Sequence, residues 1–420
     1  MLLTKLKSRF QRGGAARDVA ILTVGTVMAQ GITIAVTPLL TRLYSPTDFG
    51  VLAVFLAVVS VGATLITLRY ESSILVPKEN TESANLVLLS LTLGFLLSMV
   101  LALLAGLIPI GLQEKVGLVT LGNWVSIAFL TAATTAALGV MQCWMNRQKK
   151  YKLMAWLRVG QSTSAAGVAV FLGLLHIDNG LLIAQICASA CLCLVALWLG
   201  RSAALLWKAS QLQVTAFAHK NTPKYLLPTA LLDVVTLQIP VVLIAAWFGT
   251  DEAGQFSMAW RLLMLPAALV GGAVGQVFMQ RFSIAIEEPV LARKIIKKSW
   301  ILLFTLGLIP FALFYIGGDF VFEMVLGDEW LGAGAIAMML APMAFAMFVS
   351  SPTSGAYVIL GLQKYSLFFG LVVFIYRPLC IYLAVQTGDL AAGIKLWVVL
   401  EVIQIFVYQL IVWKKIGFKK

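Results

Sequence analysis

The feature that most constrains this chain is a series of twelve apolar runs, most of them about 20 residues long or somewhat longer. A helix that rises 1.5 Å per residue needs about 20 apolar residues to cross hydrocarbon, so each run predicts a membrane span. The runs fall near 18–41, 48–69, 84–109, 118–144, 154–175, 179–200, 225–248, 253–280, 299–318, 331–360, 366–387 and 391–413. Of the 420 residues, 60% are hydrophobic and only 12% are charged. A chain of this composition cannot cover its surface with polar groups, so we predict an all-α integral membrane protein.

The stretch from Pro38 to Gly50, which joins the first two runs, recurs about 204 residues later. Its Ser-Pro-Thr-Asp sequence is typical of a tight turn that starts a new helix. In both copies an aromatic residue and a short acidic turn precede a glycine, so that Gly50 corresponds to Gly254. This repeat predicts two six-helix lobes, residues 1–206 and 207–420, with any mechanism located where the lobes meet.

Lysine and arginine residues indicate the orientation of the spans. The formal net charge is +13, and 26 of the 31 Lys and Arg residues fall on the inner side if the N-terminus is cytoplasmic. Only Arg42, Lys115 and Lys395 fall outside, while Arg261 and Arg377 lie within spans. This distribution follows the positive-inside rule and accounts for the net charge without a nucleic-acid partner. We therefore predict that both termini are cytoplasmic.

Several other classes of protein and site are excluded by the sequence. The basic N-terminal segment resembles a signal peptide, but the first apolar run is too long for one and predicts a retained span. The five cysteines lie inside apolar runs without the spacing of a metal site, which favours a packing role. Two histidines and the lack of a Walker A sequence exclude a His-based triad, a zinc site and ATP hydrolysis by that machinery. We predict no cofactor, and H⁺ or Na⁺ is the candidate coupling ion.

Polar side chains inside the spans recur at helical spacing. The first run carries Thr23, Thr26, Gln30, Thr33 and Thr37, the second carries Ser60, Thr64 and Thr67, and the fifth carries Arg158 beside Gln161. One hypothesis is that these stripes face a common wet cavity, because lipid offers polar groups no partner. The alternative is that each hydroxyl bonds the carbonyl four residues earlier and simply lets helices pack closely.

Four charged residues lie deep within spans of the second half: Asp233, Arg261, Arg377 and Glu401. A charge at this depth costs a few kcal/mol, so each should face a cavity or a partner. One hypothesis assigns the two arginines to an anionic ligand and the two carboxylates to a coupling ion. The alternative is an Arg377–Glu401 or Arg261–Asp233 pair that only stabilises the fold. Arg42 and Arg69, at opposite ends of the second span, are either ligand contacts or interfacial anchors.

The sequence from Arg42 to Gly50, followed by Arg69-Tyr-Glu-Ser-Ser-Ile-Leu-Val-Pro77, resembles the start of the Wzx-type polysaccharide or O-antigen flippases. These proteins form the polysaccharide transporter branch of the multidrug/oligosaccharidyl-lipid/polysaccharide (MOP) exporter superfamily. The resemblance implies twelve transmembrane helices in two pseudo-twofold-related six-helix bundles around a central cavity that opens alternately to either side. It also implies the bacterial inner membrane as the location.

The resemblance implies a cargo, and the polar and charged residues of the spans are our hypothesis for the side chains that bind it. The cargo would be an undecaprenyl-diphosphate-linked oligosaccharide of O-antigen, lipopolysaccharide or another surface polysaccharide, moved from the cytoplasmic to the periplasmic leaflet. Membrane lipids, a polysaccharide polymerase and a chain-length regulator would be its partners. The residues expected to line the cavity are Arg261, Arg377, Arg69, Gln30, Thr33, Thr37, Thr64, Arg42 and Arg158, with Asp233 and Glu401 as ion-coupling candidates.

Three alternatives remain at the level of sequence. A multidrug or cation antiporter of the same superfamily would share the fold but would favour carboxylates and aromatic residues over arginines in its cavity. A membrane glycosyltransferase would need a catalytic carboxylate in a substantial outer loop, whereas these loops have at most about a dozen residues. A scaffold without transport activity is the third alternative.

Overall fold

The computed structural model describes residues 2–109, 111, 118 and 120–416, and the side chains of residues 2–16, 19, 209 and 273 lie outside that description. Lys115, predicted to lie in an outer loop, and the two C-terminal lysines also lie outside the described residues. Within the described ranges the protein is helical and contains no β-strand. The long helices are α1 Leu2–Leu43, α2 Pro46–Ile66, α3 Asn80–Gly106, α4 Trp124–Arg147, α5 Tyr151–Leu174, α6 Gly180–Leu199, α7 Leu227–Trp247, α8 Thr250–Leu263, α9 Gly272–Ala285, α10 Pro289–Leu326, α11 Leu331–Ser350, α12 Gln363–Thr387 and α13 Leu390–Lys415.

These helices agree with the predicted spans. Ten helical segments of the described chain are long and apolar enough to cross a membrane, and α8 with α9 forms an eleventh, bent by 44°. Helix α5 has 24 residues and is about 36 Å long, which is enough by length for a twelfth span, although it contains Lys152 and Arg158. The bend between α8 and α9 lies at the Gly271-Gly272 pair and follows Pro266, residue types that weaken the helical hydrogen-bond ladder. The predicted all-α, twelve-helix architecture is therefore confirmed.

The described chain divides into two compact units. The first comprises residues 2–44, 55–109 and 121–234, and the second comprises residues 45–54 and 235–416. The boundary predicted between residues 206 and 207 separates the two copies of the internal repeat, which is a different division from that into compact units. It therefore stays a prediction.

In the first unit, close helix packing depends on small residues and buried aromatic rings. A Cβ atom at Gly25 of α1 would lie 2.5 Å from the Cβ atom of Ala155, so glycine is what allows α1 to approach α5. The Tyr44 hydroxyl donates a 2.8 Å hydrogen bond to the carbonyl of Ala169 and ties the end of α1 to α5. Trp144 of α4 is fully buried in the core that α3 and α4 share.

The polar linker between the sixth and seventh apolar runs, residues 201–224, is docked onto the first unit. Asn85 of α3 accepts a 2.9 Å hydrogen bond from the backbone N–H of Lys208, and Glu82 pairs with His219 at 2.9 Å. The hydroxyls of Ser73 and Thr222 lie 2.6 Å apart in a buried contact. The linker therefore belongs to the packed structure of this unit.

In the second unit, the predicted turn at Ser45 starts a helix as expected. The Ser45 backbone N–H and hydroxyl donate to the Asp48 carboxylate at 2.9 and 2.8 Å, and the Asp48 N–H donates back to the Ser45 hydroxyl at 3.3 Å. This reciprocal arrangement is a capping box, which satisfies the free N–H groups of the first turn of α2. The Ser-Pro-Thr-Asp sequence therefore forms the predicted turn and helix start.

The two repeat-related glycines meet in the same unit. A Cβ atom at Gly50 would overlap the carbonyl oxygen of Thr250, and a Cβ atom at Gly254 would overlap that of Pro46. Gly50 and Gly254 are 204 positions apart, and so are Pro46 and Thr250, so the contact is reciprocal: each copy of the motif presents the same surface to the other. Helices α2 and α8 thus cross backbone to backbone at the residues that the repeat identified.

Candidate functional site

Arg377 and Glu401 form a buried ion pair between α12 and α13. The guanidinium is bidentate, with Nε 3.1 Å from one carboxylate oxygen and Nη2 2.8 Å from the other. Nη1 donates a hydrogen bond to the carbonyl of Thr236 on α7 at 3.1 Å. The Tyr376 hydroxyl and the Trp397 indole N–H also donate to Glu401, at 2.7 and 2.8 Å. Both charges are thereby satisfied inside the second unit.

Arg377 and Glu401 therefore form the ion pair that was one of the two hypotheses for these residues. Arg377 is 4% exposed and Glu401 is 5% exposed, and the Trp397 ring lies 5.3 Å from the guanidinium carbon. A ligand would have to break this pair to reach either charge in this conformation. The predicted roles of Arg377 as a diphosphate contact and of Glu401 as a coupling carboxylate stay predictions, with geometry that favours a positioning role.

Arg261 differs from Arg377 because its side chain is exposed. It lies in the last turn of α8, and within the second unit it forms no hydrogen bond, ion pair or cation–π contact with a described residue. Its neighbour Trp260 stacks on Trp397 at 5.9 Å and on Phe256 at 6.1 Å. The backbone that carries Arg261 is therefore held firmly, whereas the guanidinium itself is available.

In the first unit, Arg69 and Glu71 form an ion pair at the end of α2. The nitrogen–oxygen distance is 3.2 Å, and Arg69 adopts a left-handed backbone conformation with φ 61°. Arg69 Nε and Glu71 Oε2 are both buried and have no hydrogen-bond partner in the described part of the chain. Asp233 of α7 is exposed and lies within electrostatic range of Arg69. These three groups form an incompletely satisfied charged cluster, the Arg69 cluster.

The hydroxyl stripes follow the packing alternative. Thr33 and Thr37 donate to carbonyls four residues earlier at 3.1 and 2.6 Å, and Thr64 does so at 3.0 Å. Thr37 is buried, while Thr33, Thr64 and Gln30 are half-buried. Each threonine keeps acceptor capacity at its oxygen, but its proton is already used. Whether these side chains contact cargo stays a prediction.

The two remaining predicted site residues are in different environments. Arg158 of α5 donates a 2.7 Å hydrogen bond to the Thr26 hydroxyl of α1, so it ties two helices of the first unit together. Arg42 is exposed in the last turn of α1.

Sequence reasoning did not single out Tyr376, Trp397 and Gln255. Gln255 follows Gly254 and is 6% exposed; its amide donates to the carbonyl of Glu329 and accepts from the N–H of Ala333, at 2.7 and 2.8 Å. Tyr376 precedes Arg377 directly, and Trp397 lies four residues before Glu401, on the same helix face. The spacing of Tyr376 to Arg377 and of Trp397 to Glu401 is the sequence signal that could have identified these two residues.

The fold is that of solved membrane transport proteins with two bundles of helices. A multidrug resistance transporter of the MATE family, solved in an inward-facing conformation, superposes with a TM-score of 0.70 at 14% identity, over 95% of this chain and 97% of its own. The lipid II flippase MurJ, in an inward closed conformation, superposes with a TM-score of 0.71 at 13% identity, over 95% and 90%. At these identities the likeness concerns the fold.

The sequence narrows the class to a family. Residues 39–335 match the model of the polysaccharide biosynthesis protein family, and the chain belongs to this family. A curated relative is the succinoglycan biosynthesis transport protein ExoT of Rhizobium meliloti (strain 1021), 26% identical over 254 residues, or 60% of this chain. The match spans half the length of that protein. The predicted resemblance to proteins of polysaccharide biosynthesis is therefore confirmed, and the transport activity stays a proposal.

Proposed function

We propose that this protein moves an undecaprenyl-diphosphate-linked oligosaccharide from the cytoplasmic to the periplasmic leaflet of a bacterial inner membrane by alternating access. The family and the flippase fold support a lipid-linked cargo. The biased distribution of Lys and Arg supports cytoplasmic termini. A diphosphate with a sugar head cannot cross hydrocarbon unaided, so a cation and polar groups must replace its hydration.

The observation that carries this proposal is the exposed guanidinium of Arg261. It lies about 16 Å along α8 from the start of that helix, in the last turn, whereas the other charged residues of α8, Asp251 and Glu252, lie in the first turn. An unpaired charge at such a depth costs about 2.5–3.5 kcal/mol, a cost that an anionic cargo would offset. Guanidinium stays protonated and binds phosphate oxygens in a bidentate fork, which suits a diphosphate.

Complementation of a strain that lacks the flippase tests this role. Arg261→Ala should abolish surface polysaccharide, and Arg261→Lys should restore part of it because charge is kept while the fork is lost. Arg281→Ala, at an exposed arginine of α9, is the matched control and should behave like the wild type. Normal polysaccharide from well-expressed Arg261→Ala would refute the proposed role. Export of cationic dyes by the wild type, without a polysaccharide phenotype, would favour the antiporter alternative.

We further propose that the Arg69 cluster couples transport to an ion, with Asp233 as the carboxylate that binds H⁺ or Na⁺. The exposed carboxylate beside a partly satisfied Arg69–Glu71 pair supports this assignment, because the protonation or ion occupancy of Asp233 would alter the charge that Arg69 experiences. Asp233→Asn should make transport independent of the ion gradient or abolish it. Wild-type transport that is unaffected when both gradients are collapsed would remove this role.

A polysaccharide polymerase and a chain-length regulator are the proposed downstream partners.

A further inference from the structure

The second unit contains an apolar groove of 620 Å³ that the proposed cargo site does not use. Helices α10, α11 and α13 line it, and only two polar side chains, Ser350 and Gln409, are among its walls. Ile301 and Phe304 on one side and Phe406 on the other are at least half exposed along the groove. Because these helices span a membrane, the substance available to fill the groove is hydrocarbon.

The walls of the groove are largely aromatic and are fixed by stacking. Trp300 of α10 stacks on Trp413 of α13 with ring centroids 5.8 Å apart, and Phe304 packs on Phe345 of α11 at 5.2 Å. Rings held in this way keep a groove at a constant width. Such walls offer apolar contacts along the length of a hydrocarbon chain.

One end of the groove is strongly basic. Arg293 and Lys297 precede Trp300 on the same face of α10, and Lys414 and Lys415 follow Trp413 on α13. Arg293 lies over the Trp413 ring at 5.6 Å and donates to the carbonyl of Ile416 at 3.2 Å. A cluster of cationic side chains therefore lies directly beyond the aromatic end of the groove.

Apolar walls that end in a cluster of cations match an amphiphile with a hydrocarbon tail and an anionic head. We propose that this groove holds the polyprenyl tail of the lipid-linked cargo, with Arg293 and Lys297 beside the diphosphate when the cargo first binds. This inference rests on the proposed function, which supplies a cargo that enters from the basic side of the membrane. An anionic phospholipid is the competing occupant.

Binding of undecaprenyl diphosphate to the purified full-length protein, measured by native mass spectrometry, tests the groove. Ala346 lies half-buried in the groove wall, and Ala346→Trp should fill the space and weaken binding roughly tenfold. Ala335→Trp, at an exposed position of the same helix outside the groove, should bind like the wild type. Arg293→Gln with Lys297→Gln should weaken binding as well; because Arg293 also contacts Trp413 and Ile416, thermal unfolding in detergent checks that this variant is folded.

Undiminished binding of undecaprenyl diphosphate by both variants would overturn the inference. So would displacement of the bound probe by an equal concentration of phosphatidylglycerol, since that would identify a phospholipid site. Failure of the proposed function is seen separately in the Arg261→Ala complementation, because the binding assay needs no transport. Groove-dependent binding without any effect of Arg261→Ala would leave the inference standing while the proposed role of Arg261 fails.

Discussion

At the residue scale, the Glu401 carboxylate accepts four hydrogen bonds from three residues, and this network fixes α12 against α13. Removing one partner of a buried ion pair leaves the other charge uncompensated, which costs about 3–5 kcal/mol. We therefore expect Glu401→Ala to lower the midpoint of thermal unfolding in detergent strongly. Glu323→Ala, at an exposed carboxylate of the same unit, should leave it unchanged.

Replacing both charges distinguishes a positioning role from a binding role. Arg377→Met combined with Glu401→Leu removes the uncompensated charge and should recover much of the lost stability. Recovered stability together with retained transport would assign the pair to the fold. A Glu401→Ala variant as stable as the wild type would contradict the account of the network.

Single residues were predicted unevenly from the sequence. Depth and charge identified Arg261, Arg377, Asp233 and Glu401, but periodicity cannot distinguish a paired arginine from a free one, because the partner lies on another helix. The threonine stripes had the same ambiguity. A hydroxyl at helical spacing is expected under both the cavity and the packing hypotheses. Only the distances to the carbonyls four residues earlier show that the hydroxyl proton is donated within the helix.

At the scale of helices, the crossing of α2 and α8 depends on two glycines with equivalent surroundings. Because a Cβ atom at either position would overlap a carbonyl oxygen, Gly50→Ala and Gly254→Ala should each separate the helices and destabilise the protein by about 1–3 kcal/mol. The reciprocal contact predicts similar effects for the two variants. Thermal unfolding in detergent measures both.

Gly31→Ala is the matched control for this crossing. A Cβ atom at Gly31 of α1 meets no atom within 4 Å, so this variant should be neutral or slightly stabilised. Unfolding midpoints for Gly50→Ala and Gly254→Ala that equal those of Gly31→Ala would show that the helices cross without close backbone contact.

Helices were predicted more completely than sites because the bilayer imposes a length and composition on every span. The bend between α8 and α9 lies near Pro266 and Gly271, residue types that weaken the helical hydrogen-bond ladder and are visible in the sequence. Hydropathy located α10 only in part: the helix starts at Pro289, and its basic first turns extend beyond the apolar run. The docking of the linker residues Lys208 and His219 onto α3 depends on tertiary hydrogen bonds that no local pattern indicates.

At the scale of the whole molecule, the charge distribution predicts that both termini lie on the cytoplasmic side. In a variant whose five natural cysteines are replaced by alanine, Asp178→Cys should react with an impermeant maleimide added outside the cell. Lys150→Cys should react only after the membrane is permeabilised. Both side chains are exposed, so accessibility within the protein does not limit either reaction. The opposite labelling pattern would invert the proposed orientation.

The central claim is that the protein moves an anionic lipid-linked oligosaccharide between leaflets, and reconstitution tests it most directly. Purified protein in proteoliposomes that contain undecaprenyl-diphosphate-linked oligosaccharide is assayed for the fraction of sugar accessible to an external lectin. We expect a rise in accessible sugar that depends on the wild-type protein and is lost with Arg261→Ala but kept with Arg281→Ala. No protein-dependent rise with folded wild-type protein, under imposed H⁺ and Na⁺ gradients of either direction, would contradict the account.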